Sequence, residues 1–63
     1  MCNIRVFDMV SLKEKTEIFK GVTIDTGVRG VVTGRSLPNF YLVKFEGYED
    51  VYWVQGSKLI RHN

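Results

Sequence analysis

The second half of the chain is a series of short β-favouring runs cut by turn residues, and that punctuation limits the fold more than any other feature. VVTG, FYLVKF, VYWV and LIRH are separated by Ser36-Leu37-Pro38-Asn39, Glu46-Gly47-Tyr48-Glu49-Asp50 and Gly56-Ser57-Lys58. Each run is too short for a stable helix and rich in β-branched or aromatic residues. Proline fixes φ, and glycine and asparagine tolerate left-handed backbone, so the intervening segments read as turns. An all-β domain is expected.

With 63 residues there is room for one domain and one small core. A chain of this size buries only about 60% of its unfolded surface and has a narrow stability margin. Hydrophobic residues at 44% and charged residues at 25% still favour folding over disorder. Cys2 is the only cysteine, so neither an intramolecular disulfide nor a cysteine-based zinc site is expected. No apolar run approaches the ~20 residues of a membrane span, and no leader pattern is visible, so the expected location is cytoplasmic.

Five strands are expected. The first covers Phe7 to Leu12, the second lies in VRGVVTGR, and the third and fourth are Phe40 to Phe45 and Val51 to Gln55. A short last strand, Leu59 to Arg61, follows a tight turn at Gly56-Ser57-Lys58. Between the first two, KEKTEIFKGVTIDTG reads as a long excursion, with one helical turn over Glu14 to Phe19 as the alternative. Gly27, Gly30 and Gly34 mark bends or close backbone approach in the second strand. Together these elements make a small curled barrel with a long first loop.

Six of the eight aromatic residues, Phe40, Tyr41, Phe45, Tyr48, Tyr52 and Trp53, lie between positions 40 and 53. Side chains alternate along a strand, so Tyr41, Val43 and Phe45 share one face and Phe40, Leu42 and Lys44 the other. The charge on Lys44 turns its set outward and places Val43 and Phe45 in the core. In the fourth strand Val51 and Trp53 oppose Tyr52 and Val54, and no charge sets the phase. Each aromatic ring claims roughly 150–250 Å², so a domain this small cannot bury all six. The exposed ones are either scattered surface residues or a recognition surface.

The order of first strand, long loop, GVRGVVTG strand, YLVKF, VYWV and LIRH resembles an SH3-like barrel of the KOW, Tudor and chromo-barrel kind. FDMV, KGVTIDTGVRGVV, YLVKF and LIRH are similar, in the same order, to the DUF4926 type of uncharacterised small bacterial proteins, a resemblance that implies a fold and no activity. YLVKFEGY followed by Trp53 is similar to the chromodomain run that supplies two walls of a methyl-lysine cage, which fall here on Phe45 and Tyr48. An acidic Glu49 or Asp50 suits a cationic ligand there. The C-terminal helix of chromodomains has no counterpart. Val51-Tyr52-Trp53-Val54 aligns with the pore strand of plasmid-borne type II dihydrofolate reductases, which are tetramers, but lacks their Gln-Ile-Tyr set.

No enzyme constellation is visible. His62, the only histidine, stands next to last, where a frayed position is expected, and the serines and threonines have no spaced histidine and acid. GVRGVVTG lacks the G-K-[ST] ending of a phosphate loop. No cofactor or metal is implied. The net charge of +2 is small for a protein that binds through phosphates, and Glu46, Glu49 and Asp50 stand among the aromatics. The sequence therefore points to a non-catalytic module that docks a protein partner through Phe40, Leu42, Tyr48, Glu49, Asp50, Tyr52 and Trp53. It could act as a small inhibitor or accessory factor from a mobile element, or as a homo-oligomer. The alternative is nucleic-acid binding through Arg29, Arg35, Lys44 and Lys58, with Tyr41 or Tyr52 stacking on bases.

Overall fold

A computed structural model of the chain describes residues 4–62, so Cys2 lies outside the described residues. The strands run β1 (Met9–Leu12), β2 (Thr16–Phe19), β3 (Val22–Ile24), β4 (Arg29–Ser36), β5 (Phe40–Phe45), β6 (Val51–Gln55) and β7 (Leu59–Arg61). Five of them form one antiparallel sheet in the order β6-β5-β4-β1-β7, and β2 and β3 make a separate two-stranded hairpin. The five strands of the sheet are the five that alternation and turn residues predict. They do not close into a hydrogen-bonded ring, because β6 and β7 remain the two edges of the sheet. The expected barrel is thus an open sheet around one core, with the hairpin packed against it.

The excursion between β1 and β4 is where the expectation departs most from the structure. In TEIF, Ile18 turns half-inward while Glu17 and Phe19 face solvent, which is strand alternation rather than a helical turn. Gly21, at φ 81°, provides the left-handed residue of the turn, and its N–H donates to the Glu17 carboxylate at 3.0 Å. Ile24 is fully buried, and Ile18, Val22 and Val28 pack against the core. Gly56–Lys58 forms a single 3-10 turn.

One core serves the molecule: Ile4, Val10, Leu12, Ile24, Val32, Tyr41, Val43, Phe45, Val54 and Leu59. Val43 and Phe45 are both at 0% exposure, as the outward turn of Lys44 requires. In β6 the phase that the sequence left open is settled by pairing. Tyr52 lies opposite Val43 and Val54 opposite Tyr41, which turns both inward and leaves Val51 and Trp53 outside. Gly30 faces Phe45 across the β4–β5 ladder and is a point of close approach: a β-carbon there would lie 2.6 Å from Val43 Cγ1 and 3.1 Å from Phe45 Cδ1.

The first strand starts later than expected because the chain turns at Arg5–Asp8. The Asp8 N–H donates to the Arg5 carbonyl at 3.0 Å, and Phe7 takes φ 79° at the third turn position. A second turn of this pattern joins Phe45 to Tyr48, where the Tyr48 N–H reaches the Phe45 carbonyl at 3.1 Å and Gly47 takes φ 88°. Glycine is the residue a type II turn favours at that position. Phe7 fills it with a ring that is 80% exposed.

Candidate functional site

The candidate aromatics divide between two surfaces. On the outer face of the sheet, Leu42 pairs with Trp53 and Lys44 with Val51, and partners directly opposite share a face. Phe40, Val51 and Trp53 are 41%, 43% and 51% exposed there, and Leu42 is half-buried between them. Tyr48 and Tyr52 are half-buried and packed on the core. Phe45 is fully enclosed and offers no ring face to a ligand. The Lys44 ammonium donates to the Tyr48 carbonyl, which ties the β5–β6 connection back onto β5.

Around the open edge of β6 the hairpin builds a groove. The Phe19 ring stands 5.9 Å from that of Tyr52, tilted by 43°. Together with Ile18, Val22 and Trp53 these rings line a hollow of about 510 Å³, and Lys20 and Asp50 contribute one charge of each sign to its rim. A second hollow of about 150 Å³ continues past Trp53 toward Gln55 and Lys58. The two share Ile18 and Trp53 in their walls and so lie side by side along β6. Glu49, next to Asp50 on the same connection, is exposed.

Phe40 and Leu42 do not belong to this groove. The candidate cations are likewise dispersed: Arg29 and Lys44 share a hollow of about 470 Å³ on the outer face with Glu46. Arg35 lines a different one beside Phe40, and Lys58 lines the smaller hollow with Thr16, Glu17 and Gln55. Tyr41, a proposed stacking surface, is 7% exposed and belongs to the core.

Two features were not foreseen. Phe19, 63% exposed, supplies one wall of the groove, and nothing in TEIF announces this because the contact with β6 is non-local. His62 is anchored rather than frayed. Its N–H donates to the Met9 carbonyl at 2.8 Å, and its Nε2 lies 2.6 Å from the Ser11 hydroxyl. A histidine within reach of a serine is the start of a nucleophile system. Ser11, however, lies in a strand paired on both sides, with Arg29 and with Ile60, so the surrounding amides face neighbouring strands instead of an oxyanion. The pair, together with the Arg61–Asp8 ion pair at 3.2 Å, fastens residues 61 and 62 to β1 and the turn before it.

Among the described residues no three His, Cys, Asp or Glu side chains gather as a metal site, and no helix is long and apolar enough to cross a membrane. Comparisons with known protein families, curated proteins and solved structures give no match.

Proposed function

We propose that the chain is a non-catalytic docking module that takes an extended segment of a protein partner along β6, in the groove between that strand and the β2–β3 hairpin. The observation that carries this reading is that Phe19, Tyr52 and Trp53 converge on one concave, largely apolar hollow at an open strand edge. Ligand sites are typically concave, apolar and furnished with a few polar groups at fixed positions, and an edge strand adds main-chain donors and acceptors for an extended chain. Asp50 on the rim of the groove and Glu49 next to it in the chain favour an apolar segment with a basic residue over an acidic one, and they would repel a phosphate backbone.

Trp53 is the only tryptophan, so its emission reports on the groove directly. The test is to select binders from a library of random extended peptides and titrate them against the wild type. Peptides that shift Trp53 emission should lose affinity on Phe19→Ser, and those carrying a basic residue should also lose it on Glu49→Lys with Asp50→Lys. Enriched peptides that bind the Phe19→Ser protein equally well would refute the site. Oligonucleotide binding that falls steeply with salt and disappears on Arg29→Glu or Arg35→Glu would replace this reading with nucleic-acid binding.

A further inference from the structure

The hollow on the outer face of the sheet shares no residue with the groove, and the ladders set its walls. Met9 pairs with Val31 and Val31 with Lys44, so the three stand in one row across β1, β4 and β5. A β-carbon at Gly30 would point inward to Val43 and Phe45, so its neighbours Arg29 and Val31 both face outward. Met9 and Val31 are 41% and 37% exposed and make an apolar wall. Arg29, Lys44 and Glu46 bring the charge to this space of about 470 Å³, a size usual for small-molecule sites.

The fold does not use these cations up. Among the described residues the Arg29 guanidinium makes no hydrogen bond and no ion pair. Ser11 lies directly opposite Arg29 in the β1–β4 ladder, but its hydroxyl is already engaged with His62 Nε2 at 2.6 Å. The Glu46 N–H donates to the Arg29 carbonyl at 2.8 Å, yet the Glu46 carboxylate bridges neither Arg29 nor Lys44. The Lys44 ammonium donates to the Tyr48 carbonyl, which holds it in place and leaves its remaining N–H groups for a ligand. Two cations against one carboxylate give the hollow an excess of one positive charge beside an apolar wall.

We propose that this hollow binds a small aromatic carboxylate, with the anion on Arg29 and Lys44 and the ring on Met9 and Val31. A guanidinium presents a planar fork of N–H donors that matches a carboxylate. The single excess charge suits a monoanion, whereas a phosphate dianion would meet Glu46 and leave the apolar wall uncovered. A ring is favoured over an alkyl chain because the walls carry a thioether and two cations, groups that attract aromatic edges and faces. The hollow is open to solvent on the outer face, so the occupant is only partly enclosed and binding is weak.

Amide chemical shifts of the labelled chain, followed while phenylacetate is added through the millimolar range, test the site. The shifts should saturate with a millimolar Kd and map to Gly30, Val31 and Lys44. Phenylacetamide keeps the ring and lacks the charge, and acetate keeps the charge and lacks the ring, so each should bind several-fold more weakly. Arg29→Gln alters an exposed side chain with no partner among the described residues; it should leave the fold intact and weaken phenylacetate several-fold. Glu46→Gln removes the opposing carboxylate and should strengthen it, and Phe19→Ser should leave it unchanged. An absence of saturable shifts, equal binding of phenylacetamide, or an affinity indifferent to Arg29→Gln would overturn the proposal. Shifts confined to Ile18, Phe19 and Tyr52 would overturn it too, because they place the ligand in the groove; none of these results touches the groove's own test, which rests on extended peptides and Phe19.

Discussion

Replacing Phe45 by alanine tests the core and the exclusion of Phe45 from any ligand cage together. The ring is at 0% exposure and is pressed against β4 where Gly30 leaves no side chain between strand and ring. Truncation of a fully buried phenylalanine costs about 3–5 kcal/mol, and the cost is highest where the surroundings cannot collapse into the cavity. Here β4 is held to β5 by the ladder from Gly30–Phe45 to Ser36–Phe40, so closing the space would mean breaking pairs on either side of it. The expected loss lies in the upper part of the range. A chain of 63 residues at roughly 0.05–0.15 kcal/mol per residue has about 3–9 kcal/mol to lose. Phe45→Ala should therefore be unfolded or nearly so at room temperature.

Urea titration followed by Trp53 emission and by far-ultraviolet circular dichroism measures this, with Phe45→Leu as the companion. Leucine keeps most of the volume and should cost less than about 1.5 kcal/mol, leaving a folded protein with a lowered midpoint. An alanine variant with an unshifted midpoint would mean that Phe45 is not in the core. A folded alanine variant that had lost a ligand would instead mark it as a cage wall.

Gly30→Ala forces a β-carbon to 2.6 Å from Val43 Cγ1 and 3.0 Å from the Lys44 carbonyl oxygen, and should destabilise by about 1–3 kcal/mol. Its combination with Phe45→Leu should be non-additive in the same titration, since both act on the space around one ring. At Phe7, glycine and alanine both remove the exposed ring, so the difference between the two variants isolates the backbone. With φ at 79°, Phe7→Gly should be the more stable by about 1 kcal/mol, and equal midpoints would reject the left-handed turn.

The strands of the sheet were readable because their information is local. YLVKF carries one charge in an alternating apolar run, and that charge orients the strand; Pro38, Gly47 and Gly56 bound β5 and β6 at the residues observed. TEIFKGVTI has the same alternation and a turn glycine, but four charged or threonine side chains dilute it, and a three-residue β3 is too short to show a period. The hairpin was accordingly read as loop. The phase of β6 was undecidable from VYWV alone and follows only from its partner: once Val43 and Tyr41 turn inward, Tyr52 and Val54 must follow.

The functional surface was legible in composition and not in place. The sequence shows that a domain this small cannot bury six aromatics between positions 40 and 53, and two of them, Tyr41 and Phe45, are buried. It treats the remainder as one patch because they are neighbours in the chain. Strand pairing separates them: Phe40 and Leu42 lie on the outer face, Tyr52 turns toward the hairpin, and Trp53 stands at the edge where the two surfaces meet. Phe19, more than thirty positions from Tyr52 in sequence, joins the groove through a contact that only the tertiary fold creates. One consequence distinguishes the two surfaces experimentally. Phe19→Ser and Trp53→Ala should both weaken a peptide held in the groove, whereas Phe40→Ser, on the outer face, should leave its affinity unchanged; equal losses from all three would mean that the two surfaces do not act separately.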